Sequence, residues 1–177
     1  RYFAWILDLF SGGIDSLGYG NARGEYYGAR RVEDGSVNIV RSDEETGGAT
    51  WVYALSKDYT AGELIMKADP YDPRTRAWYT AALEAGQAAY SPLYSRNVSG
   101  ERTVSAAQPV YDRAGALQGV LGTHLLLADL DGYLQQIVGQ YQGVGFIIDT
   151  KTHELIANSL GLPNYTVLAD GTEKRFA

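Results

Sequence analysis

A chain of 177 residues, of which 45% are apolar, is long enough to bury the core of one ordinary domain, or of one domain and part of another. Its formal net charge of -6, without a basic run, argues against nucleic acid as the main partner, because phosphate binding depends on clustered lysine and arginine. Without cysteine it can form no disulfide, thiolate nucleophile or cysteine-ligated zinc site. Its apolar stretches are too short to span a bilayer, so we expect any membrane anchor to lie outside this sequence.

The first part of the sequence predicts the end of a helix and then an antiparallel meander. Residues 2–10 are nearly all apolar and stop at Ser11-Gly12-Gly13, which is typical of the last turns of a buried helix. Short runs separated by turn sequences follow, and these strand candidates are 14–19, 25–33, 36–42 and 50–56. The connection from 57 to 71 is less regular and leads to a second helix.

That second helix is predicted to begin at Asp72, because aspartate suits the N-cap and proline follows at the first helical position. It should continue to about residue 86. An arginine in the first turns, such as Arg76, lies where the helix dipole disfavours a cation, at a cost of ~0.3–1 kcal/mol, unless an anion binds there. Arg76, free backbone N–H groups and phenol hydroxyls could together hold a carboxylate. The alternative is that Arg76 pairs with a nearby acid and that Trp78 and Tyr79 are core residues.

The second part of the sequence predicts more strands around a further helix. The strand candidates are 89–95, 102–111 and 117–127, joined by turns at 97–100 and 112–115. The third is apolar on both faces, which indicates a central strand that is covered on both sides. A helix over 129–140 and two short strands, 144–149 and 154–157, precede a polar tail over 162–177. The order of elements predicts an α+β domain around an antiparallel sheet, with the last strands either joining that sheet or beginning a second lobe.

Four motifs occur in order along the chain. They are Tyr71-Asp72-Pro73-Arg74-Thr75-Arg76-Ala77-Trp78-Tyr79, Ser91-Pro92-Leu93-Tyr94, Ser105-Ala106-Ala107-Gln108-Pro109-Val110-Tyr111-Asp112 and Gly119-Val120-Leu121-Gly122. Together they resemble the double Cache family, the PAS-like extracytoplasmic sensor domains of bacterial chemoreceptors, histidine kinases and cyclases. The resemblance implies the end of a long N-terminal helix over 1–13, a membrane-distal ligand-binding lobe over 14–141 and the truncated start of a membrane-proximal lobe over 142–177. The distal lobe would have a central antiparallel sheet flanked by helices.

The resemblance also implies a ligand site in the distal lobe. Family members that bind amino acids hold the ligand carboxylate with tyrosine, arginine and tryptophan side chains, and its ammonium with a later tyrosine and an aspartate. The positions that match the family's tyrosine, Arg-x-Trp-Tyr and later tyrosine are Tyr71, Arg76, Trp78, Tyr79 and Tyr94. The position that aligns with the aspartate is His124, so the carboxylate half of the site is kept and the ammonium half is changed.

His124 changes which ligand the site can take. A neutral imidazole accepts one hydrogen bond and a protonated one only donates, so a buried ammonium would lose its ionic partner at a cost of several kcal/mol. We therefore predict a small organic acid or related carboxylate without an α-amino group, with a second acidic or hydroxyl group facing His124. The alternative is that His124 is a satisfied core residue of an apolar strand.

The function that the resemblance implies is a periplasmic sensor domain of a bacterial inner-membrane receptor, dimeric through its N-terminal helix. No catalytic residue, metal ligand or cofactor is predicted, since the sequence has no phosphate loop, nucleophile elbow or metal-ligand spacing of histidines. Two alternatives stay open. One is a cofactor-binding PAS-like sensor with His124 as a haem ligand, and the other is a ligand-free dimerisation module that uses residues 2–10 as its interface.

Overall fold

An antiparallel sheet organises the first part of the chain. The computed structural model describes residues 1–10, 14–95, 102–168 and 173–176, and nine strands within them form one sheet. These strands are β1 (Ser16–Asn21), β2 (Tyr26–Arg31), β3 (Val37–Ser42), β4 (Ala49–Leu55), β5 (Ala61–Pro70), β6 (Ala89–Tyr90), β7 (Tyr94–Ser95), β8 (Arg102–Tyr111) and β9 (Leu117–Leu126). Their spatial order is β5-β4-β3-β2-β1-β9-β8-β6, and β7 also pairs with β8. The predicted α+β lobe with a central antiparallel sheet is confirmed.

Helices cover the two faces of this sheet. Helix α1 (Tyr2–Leu9) packs on β1, β2 and β3, and its buried residues Ala4 and Leu7 join a core cluster with Ala29 and Val37. Helix α2 (Ala77–Ala85) packs against β6 and β8 on the other face. The core on that side contains Tyr26, Val40, Val52, Trp78, Tyr79, Ala82, Ala107 and Val120. Because successive side chains of a strand point to opposite faces of the sheet, the sheet has two apolar cores, one under each helix.

Helix α1 is less buried than its apolar sequence predicts. Only the stripe of Ala4 and Leu7 is buried, while Tyr2, Trp5 and Leu9 are exposed. The three residues expected to end this helix, 11–13, lie outside the described part of the chain. No helix among the described residues combines the length and hydropathy that crossing a bilayer requires.

The irregular connection expected over 57–71 is instead the longest edge strand. Strand β5 has ten residues, pairs with β4 through several register shifts, and exposes most of its side chains on both faces. A strand without a buried face shows no alternation of apolar and polar residues, which explains why its sequence pattern is weak.

The helix predicted to start at Asp72 is divided into two segments. Asp72 does act as an N-cap, since its carboxylate accepts a hydrogen bond from the Arg74 N–H at 3.0 Å, but the helix it caps is a 3-10 turn over Pro73–Thr75. Arg76 is then extended (φ -92°, ψ 144°) and forms the N-cap of α2. The predicted end is confirmed, because Gly86 takes the left-handed conformation (φ 62°) that closes α2. Arg76 therefore precedes the helix and does not lie in its first turn.

The strand predicted over 89–95 is also divided. Strands β6 and β7 pair with β8 on either side of Ser91-Pro92-Leu93, where the proline has no N–H to donate to a sheet. The turn predicted at 97–100 lies outside the described residues.

The chain separates into two compact units, Arg1–Leu125 and Leu126–Ala177. The second unit contains α3 (Leu127–Val138) and the pairs β10 (Phe146–Ile148) with β11 (Leu155–Asn158) and β12 (Tyr165–Val167) with β13 (Glu173–Arg175). The pairing of β12 with β13 corrects the expectation of an irregular tail. Helix α3 packs on β11 and belongs to this second unit, whereas the boundary expected after residue 141 placed it in the first. The assignment of the units to distal and proximal lobes stays a prediction.

Candidate functional site

A cavity opens on the α2 face of the sheet, between the strands and the segment that enters α2. Its volume is about 570 Å³, including its open mouth. The residues that line it are Ser16, Tyr26, Ala29, Arg30, Val40, Thr50, Tyr71, Arg76, Tyr94 and His124. They come from six strands, from the residue after β5 and from the residue before α2, so the fold of the whole first unit shapes this cavity.

A row of glycines gives the sheet room for the aromatic side chains beside the cavity. Gly28, Gly18 and Gly122 are paired directly across β2, β1 and β9. A Cβ at Gly18 would lie 2.2 Å from the Tyr26 hydroxyl, and one at Gly122 would lie 2.9 Å from the Trp78 ring. Because these strands carry no side chains along this row, the rings of Tyr26 and Trp78 lie directly on the backbone.

The next row along the same three strands carries the polar groups of the site. Ser16 is the direct cross-strand partner of both Arg30 on β2 and His124 on β9. Neighbouring strands are about 4.8 Å apart, so the backbones of Arg30 and His124 are separated by about 10 Å with Ser16 between them. The sheet register therefore places an arginine, a buried serine and a buried histidine in one line across the cavity.

Arg76 and Tyr71 reach the cavity from the segment that enters α2. The guanidinium carbon of Arg76 lies 5.6 Å from the centre of the Tyr71 ring, in a cation–π arrangement. Trp78 Nε1 donates a hydrogen bond to the Tyr71 hydroxyl at 3.2 Å, and the rings of Tyr26 and Tyr71 pack edge to face. The contacts from Trp78 and Tyr26 thus orient the phenol of Tyr71, and its hydroxyl can donate a hydrogen bond to an acceptor in the cavity.

His124 belongs to a close triangle of polar groups. Its Nδ1 lies 2.6 Å from Ser105 Oγ and 2.9 Å from the Tyr94 hydroxyl, and the two hydroxyl oxygens are 2.7 Å apart. His124 is 6% exposed, and the ring of Trp78 packs against it edge to face at 5.7 Å. The hydrogen bonds favour the interpretation of His124 as a satisfied buried residue, and its place in the cavity wall also makes it available to a ligand.

The segment between β6 and β7 holds Ser105 in position. The Ser105 N–H donates to Ser91 Oγ at 3.0 Å, and the Ser91 N–H donates back to the Ser105 carbonyl at 2.8 Å. Two of the sequence motifs therefore meet here, one contributing Ser91 and Tyr94 and the other Ser105.

The two arginines of the motif that enters α2 have different surroundings. The Arg74 guanidinium forms a forked ion pair with Asp72, with Nη2 and Oδ2 2.7 Å apart, and these hydrogen bonds lower the pKa of the Asp72 carboxyl from its ordinary value. Arg76 instead lines the cavity. Of the ten described residues that form the cavity wall, two are arginines and none is an aspartate or glutamate, so this part of the wall offers hydrogen-bond donors that suit an anion.

The structure brings four of the six predicted site residues to the cavity wall, namely Tyr71, Arg76, Tyr94 and His124. Trp78 is fully buried and contacts Tyr71 and His124 from behind, so it supports the site without facing the ligand space. Tyr79 is a buried core residue whose hydroxyl donates to the Asn21 carbonyl at 3.4 Å, and burial raises the pKa of that hydroxyl. Tyr79 does not reach the cavity wall.

Several residues of the cavity wall were not predicted from the sequence, above all Arg30. It is the first of two consecutive arginines at the end of β2, which by sequence look like a solvated strand end. The period-two pattern of Tyr26, Gly28 and Arg30 was the available signal, because it places Arg30 on the same face as the buried tyrosine. Ser16, Thr50 and Ser105 gave no signal that sets them apart from other polar strand residues. No cluster of three or more metal-ligating side chains occurs among the described residues.

The family model described as the first PDC sensor domain of methyl-accepting chemotaxis protein-like receptors matches residues 36–132, more than half of the chain. The chain belongs to this family, and the predicted resemblance to the Cache sensors of chemoreceptors is confirmed. It is 30% identical over 124 residues to the methyl-accepting chemotaxis protein McpC of Bacillus subtilis. This alignment covers 70% of this chain and 19% of McpC. It is also 30% identical over 103 residues to McpA of Pseudomonas putida, which covers 54% of this chain and 16% of that protein. The chain thus spans less than a fifth of either relative.

Solved structures of chemoreceptor ligand-binding domains are also similar. The domain of Campylobacter jejuni Tlp3, in complex with 4-methylisoleucine, superposes with a TM-score of 0.49 at 17% identity, covering 83% of this chain and 44% of that one. The domain of the Pseudomonas aeruginosa amino acid chemoreceptor PctC, in complex with GABA, gives a TM-score of 0.48 at 21% identity, covering 82% and 49%.

Proposed function

We propose that this chain is the ligand-binding part of an extracytoplasmic, periplasmic sensor, and that the cavity holds a small carboxylate without an α-amino group. The observation that supports the proposal is the cavity wall, to which Arg76 contributes a guanidinium and Tyr71 and Tyr94 contribute phenol hydroxyls. A guanidinium and a phenol hydroxyl bind a carboxylate through charge-assisted hydrogen bonds, which are among the strongest in proteins. The proposed activity is non-covalent binding, and it breaks no covalent bond of the ligand.

The opposite wall of the cavity supports the exclusion of amino acids. An ammonium placed there would meet the imidazole of His124, whose Nδ1 already contacts two hydroxyls, and the guanidinium of Arg30. A buried ammonium without an anionic partner costs several kcal/mol. A carboxylate or hydroxyl of the ligand could instead take hydrogen bonds from Arg30, Tyr94 or Ser105.

Signalling would follow from a change in the population of conformers. A ligand held between Arg76, the N-cap of α2, and His124 on β9 contacts two separate elements of the first unit. Only the conformer that brings both within reach makes all of these contacts, and a ligand shifts the equilibrium by no more than its difference in affinity for the two states. We propose that this shift is transmitted across the membrane in the whole receptor.

The exposed apolar side chains of α1 and of its C-cap residue support a homodimer interface in the whole receptor. Tyr2, Trp5, Leu9 and Phe10 are between 44% and 66% exposed. We propose that a second copy of this helix covers them. If the ligand-free dimerisation alternative held and the cavity were vestigial, Arg76→Met would leave every ligand-induced thermal shift unchanged.

Titration calorimetry with a panel of small organic acids and α-amino acids tests the proposed function. We expect at least one acid without an amino group to bind more tightly than the corresponding amino acid, and Arg76→Met to weaken that binding by about tenfold or more. Arg74→Met is the matched control, because Arg74 lies two residues away and pairs with Asp72 outside the cavity. Tight binding of ordinary amino acids with no response to organic acids would contradict the proposal.

A further inference from the structure

We propose that Arg31 couples the cavity to helix α1, because it holds the C-terminal end of this helix on the strand whose other face lines the cavity. This inference rests on the proposed function, since it takes the same cavity as the ligand site. It adds a positioning residue, and a route by which ligand binding reaches α1, that neither the motifs nor the family resemblance assigns.

Arg31 closes the C-terminal end of α1. Its Nη2 donates hydrogen bonds to the carbonyls of Leu7 and Phe10, the latter at 2.7 Å, and its Nη1 donates to the Gly35 carbonyl at 3.1 Å. The last carbonyls of a helix lack the usual N–H partners four residues further on, and a cation there also interacts favourably with the helix dipole. The guanidinium therefore joins the last turn of α1 to β2 and to the turn that follows β2.

Arg31 and the wall residue Arg30 are consecutive on β2 and point to opposite faces of the sheet. Side chains alternate along a strand, so Arg30 lines the cavity on the α2 face while Arg31 reaches α1 on the other face. A displacement of this strand end by a ligand in the cavity therefore also displaces the contact with α1.

Backbone hydrogen bonds connect Arg31 to the other strands of the cavity wall. The Arg31 N–H donates to the Asp15 carbonyl at 2.8 Å, and the Asp15 N–H donates to the His124 carbonyl at 3.2 Å. Asp15 is buried and directly precedes Ser16, which lies between Arg30 and His124 in the polar row. All three strands that carry this row are thus fastened to Arg31 by their backbones.

A second contact holds the same end of α1. The Tyr59 hydroxyl donates to the Asp8 carboxylate at 2.6 Å, from the turn between β4 and β5. Tyr59 has a φ of 63°, which residues with a side chain rarely adopt, and its N–H donates to the Ser56 carbonyl at 3.0 Å within this turn. Arg31 is joined to the polar row, whereas Tyr59 is not among the described residues of the cavity wall. The two contacts therefore separate docking of α1 from its coupling to the cavity.

Docking of the last turn of α1 supplies the two states that coupling requires. A ligand that stabilises the row of Arg30, Ser16 and His124 also stabilises the position of Arg31, and with it the docked state. The factor by which the ligand favours docking equals the factor by which docking favours the ligand. A coupling claim needs such an element, whose equilibrium both sites influence.

Amide hydrogen exchange of residues 2–10, measured by mass spectrometry with and without ligand, tests the coupling. The probes are acetate, propionate, lactate and pyruvate, with glycine and alanine as amino acid counterparts, and the probe that binds most tightly in calorimetry is used at saturation. We expect it to slow exchange in residues 2–10 of the wild-type protein by about fivefold or more. This comparison does not depend on whether any variant folds.

Arg31→Met then tests whether Arg31 carries the coupling, since methionine keeps much of the apolar stem and removes the hydrogen-bond donors. We expect faster exchange in residues 2–10 and loss of the slowing by the ligand, with affinity lowered by no more than the factor of slowing in the wild type. Arg31→Lys should restore part of the slowing, because an ammonium still donates hydrogen bonds.

Tyr59→Phe is the matched control, because it removes the other contact with the end of α1. Exchange in residues 2–10 should be faster than in the wild type, and the slowing by the ligand should remain. Arg23→Met controls for net charge, since the Arg23 side chain is 81% exposed and forms its ion pair with Glu25. It should change neither exchange in residues 2–10 nor its response to the ligand.

Different results would overturn the two proposals. If a probe binds and exchange in residues 2–10 is the same with and without it, or if Arg31→Met keeps the slowing, Arg31 does not couple the cavity to α1 and the proposed function is unaffected. Loss of the slowing in Tyr59→Phe as well would also overturn the assignment to Arg31. If only an amino acid binds, the proposed function fails and the exchange measurement with that amino acid decides the coupling. Failure of all of these probes to bind would overturn both.

Discussion

Single residues of the cavity wall determine which groups of a ligand can be satisfied. His124 is the clearest case, because its Nδ1 already interacts with Tyr94 and Ser105 and cannot neutralise a cation as a carboxylate does. We predict that His124→Asp will shift the ligand preference toward α-amino acids. Both hydroxyls could donate to the new carboxylate, which would in turn pair with an ammonium.

Calorimetry of His124→Asp with matched pairs, such as propionate and alanine, measures this shift. We expect the ratio of affinities to move toward the amino acid by about tenfold or more, because a buried charge gains its partner. Tyr94→Phe, which removes a hydroxyl and adds no charge, is the control. An unchanged ratio in His124→Asp would show that His124 does not select the ligand.

Gly18 is important because it has no side chain, which leaves room for the Tyr26 ring. A methyl group there would overlap the Tyr26 hydroxyl, which lies 2.2 Å from the ideal Cβ position, so Gly18→Ala must displace this ring toward the cavity. We predict a loss of about 1–3 kcal/mol in the free energy of unfolding, as is typical of overpacked cores, together with weaker ligand binding. Urea denaturation and calorimetry check the two effects separately.

Gly132→Ala is the matched control for that substitution. Gly132 is in α3, and a Cβ there would have no neighbour within 4 Å. The same chemical change should raise the stability of the helix by about 0.5–1 kcal/mol and leave ligand binding unchanged. Equal effects of the two substitutions would show that the contact between Gly18 and Tyr26 has no energetic importance.

Among the elements, the short segment from Asp72 to Arg76 does most to position the site. Its 3-10 turn is capped by Asp72, so Asp72→Ala should lower the free energy of unfolding by about 0.5–2 kcal/mol and displace Arg76 from the cavity. Asp72→Asn keeps the capping oxygen and should lose only the ion pair with Arg74, a small effect because both side chains are substantially exposed.

The pH dependence of these variants follows from the lowered pKa of Asp72, which is caused mainly by the hydrogen bonds from Arg74. A carboxyl with a lower pKa in the folded state stabilises the protein above its unfolded pKa of about 4 and loses that contribution as the pH falls through its folded pKa. The stability difference between wild type and Asp72→Asn should therefore be present near neutral pH and shrink in acid. Urea denaturation across this pH range provides the measurement, and a gap that widened in acid would contradict the assignment.

Elements of the first unit were predicted well from the sequence where burial produces a regular pattern of apolar residues. Strands such as Tyr26–Arg31 and Arg102–Tyr111 alternate between two covered faces or end at glycine turns, and both are found where they were expected. Strand β5 was missed because an exposed edge strand has no buried face to generate a pattern. The break at Arg76 was missed because a good N-cap indicates where a helix begins and does not indicate whether a 3-10 turn or an α-helix follows.

The set of residues that meet in the cavity wall depends on pairing between strands that are distant in sequence. The family motifs predicted Tyr71, Arg76, Tyr94 and His124 in the cavity wall. Arg30 could not be recognised in the same way, because its importance depends on Ser16 lying between it and His124. That register joins β1 to β9 from opposite ends of the unit, and local propensity carries no information about it.

At the scale of the whole molecule, the two units differ in how their structure is maintained. The first unit has two apolar cores, whereas the second relies in part on a polar cluster around Asp131. The Asp131 carboxylate accepts hydrogen bonds from the Asn158 N–H at 2.7 Å and from the Asn164 side-chain amide at 3.0 Å, and both asparagines are buried. Within the second unit, this cluster joins α3 to β11 and the residues that follow it.

Asp131→Ala should therefore destabilise the second unit selectively. Removing the Asp131 carboxylate leaves the buried Asn158 N–H and the Asn164 side-chain amide without this hydrogen-bond acceptor, at a cost of about 1–3 kcal/mol. We expect faster amide exchange in residues 126–168 and unchanged affinity of the cavity for its ligand, since the described residues of the cavity wall lie in the first unit. Gln136→Ala, which changes an exposed residue on the same helix, serves as the control, and loss of ligand binding in Asp131→Ala would show that the units are energetically coupled.

The position of Trp78 makes the cavity accessible to optical measurement. Of the three tryptophans, Trp78 is fully buried between Tyr71 and His124, whereas Trp5 is 44% exposed on α1 and Trp51 lies under the Lys67 ammonium on the sheet. In a variant with phenylalanine at positions 5 and 51, the tryptophan emission would come from Trp78 alone. Its emission would follow changes in the hydrogen bond to Tyr71 and in the imidazole beside it, so ligand arrival could be timed by stopped-flow fluorescence without an attached dye.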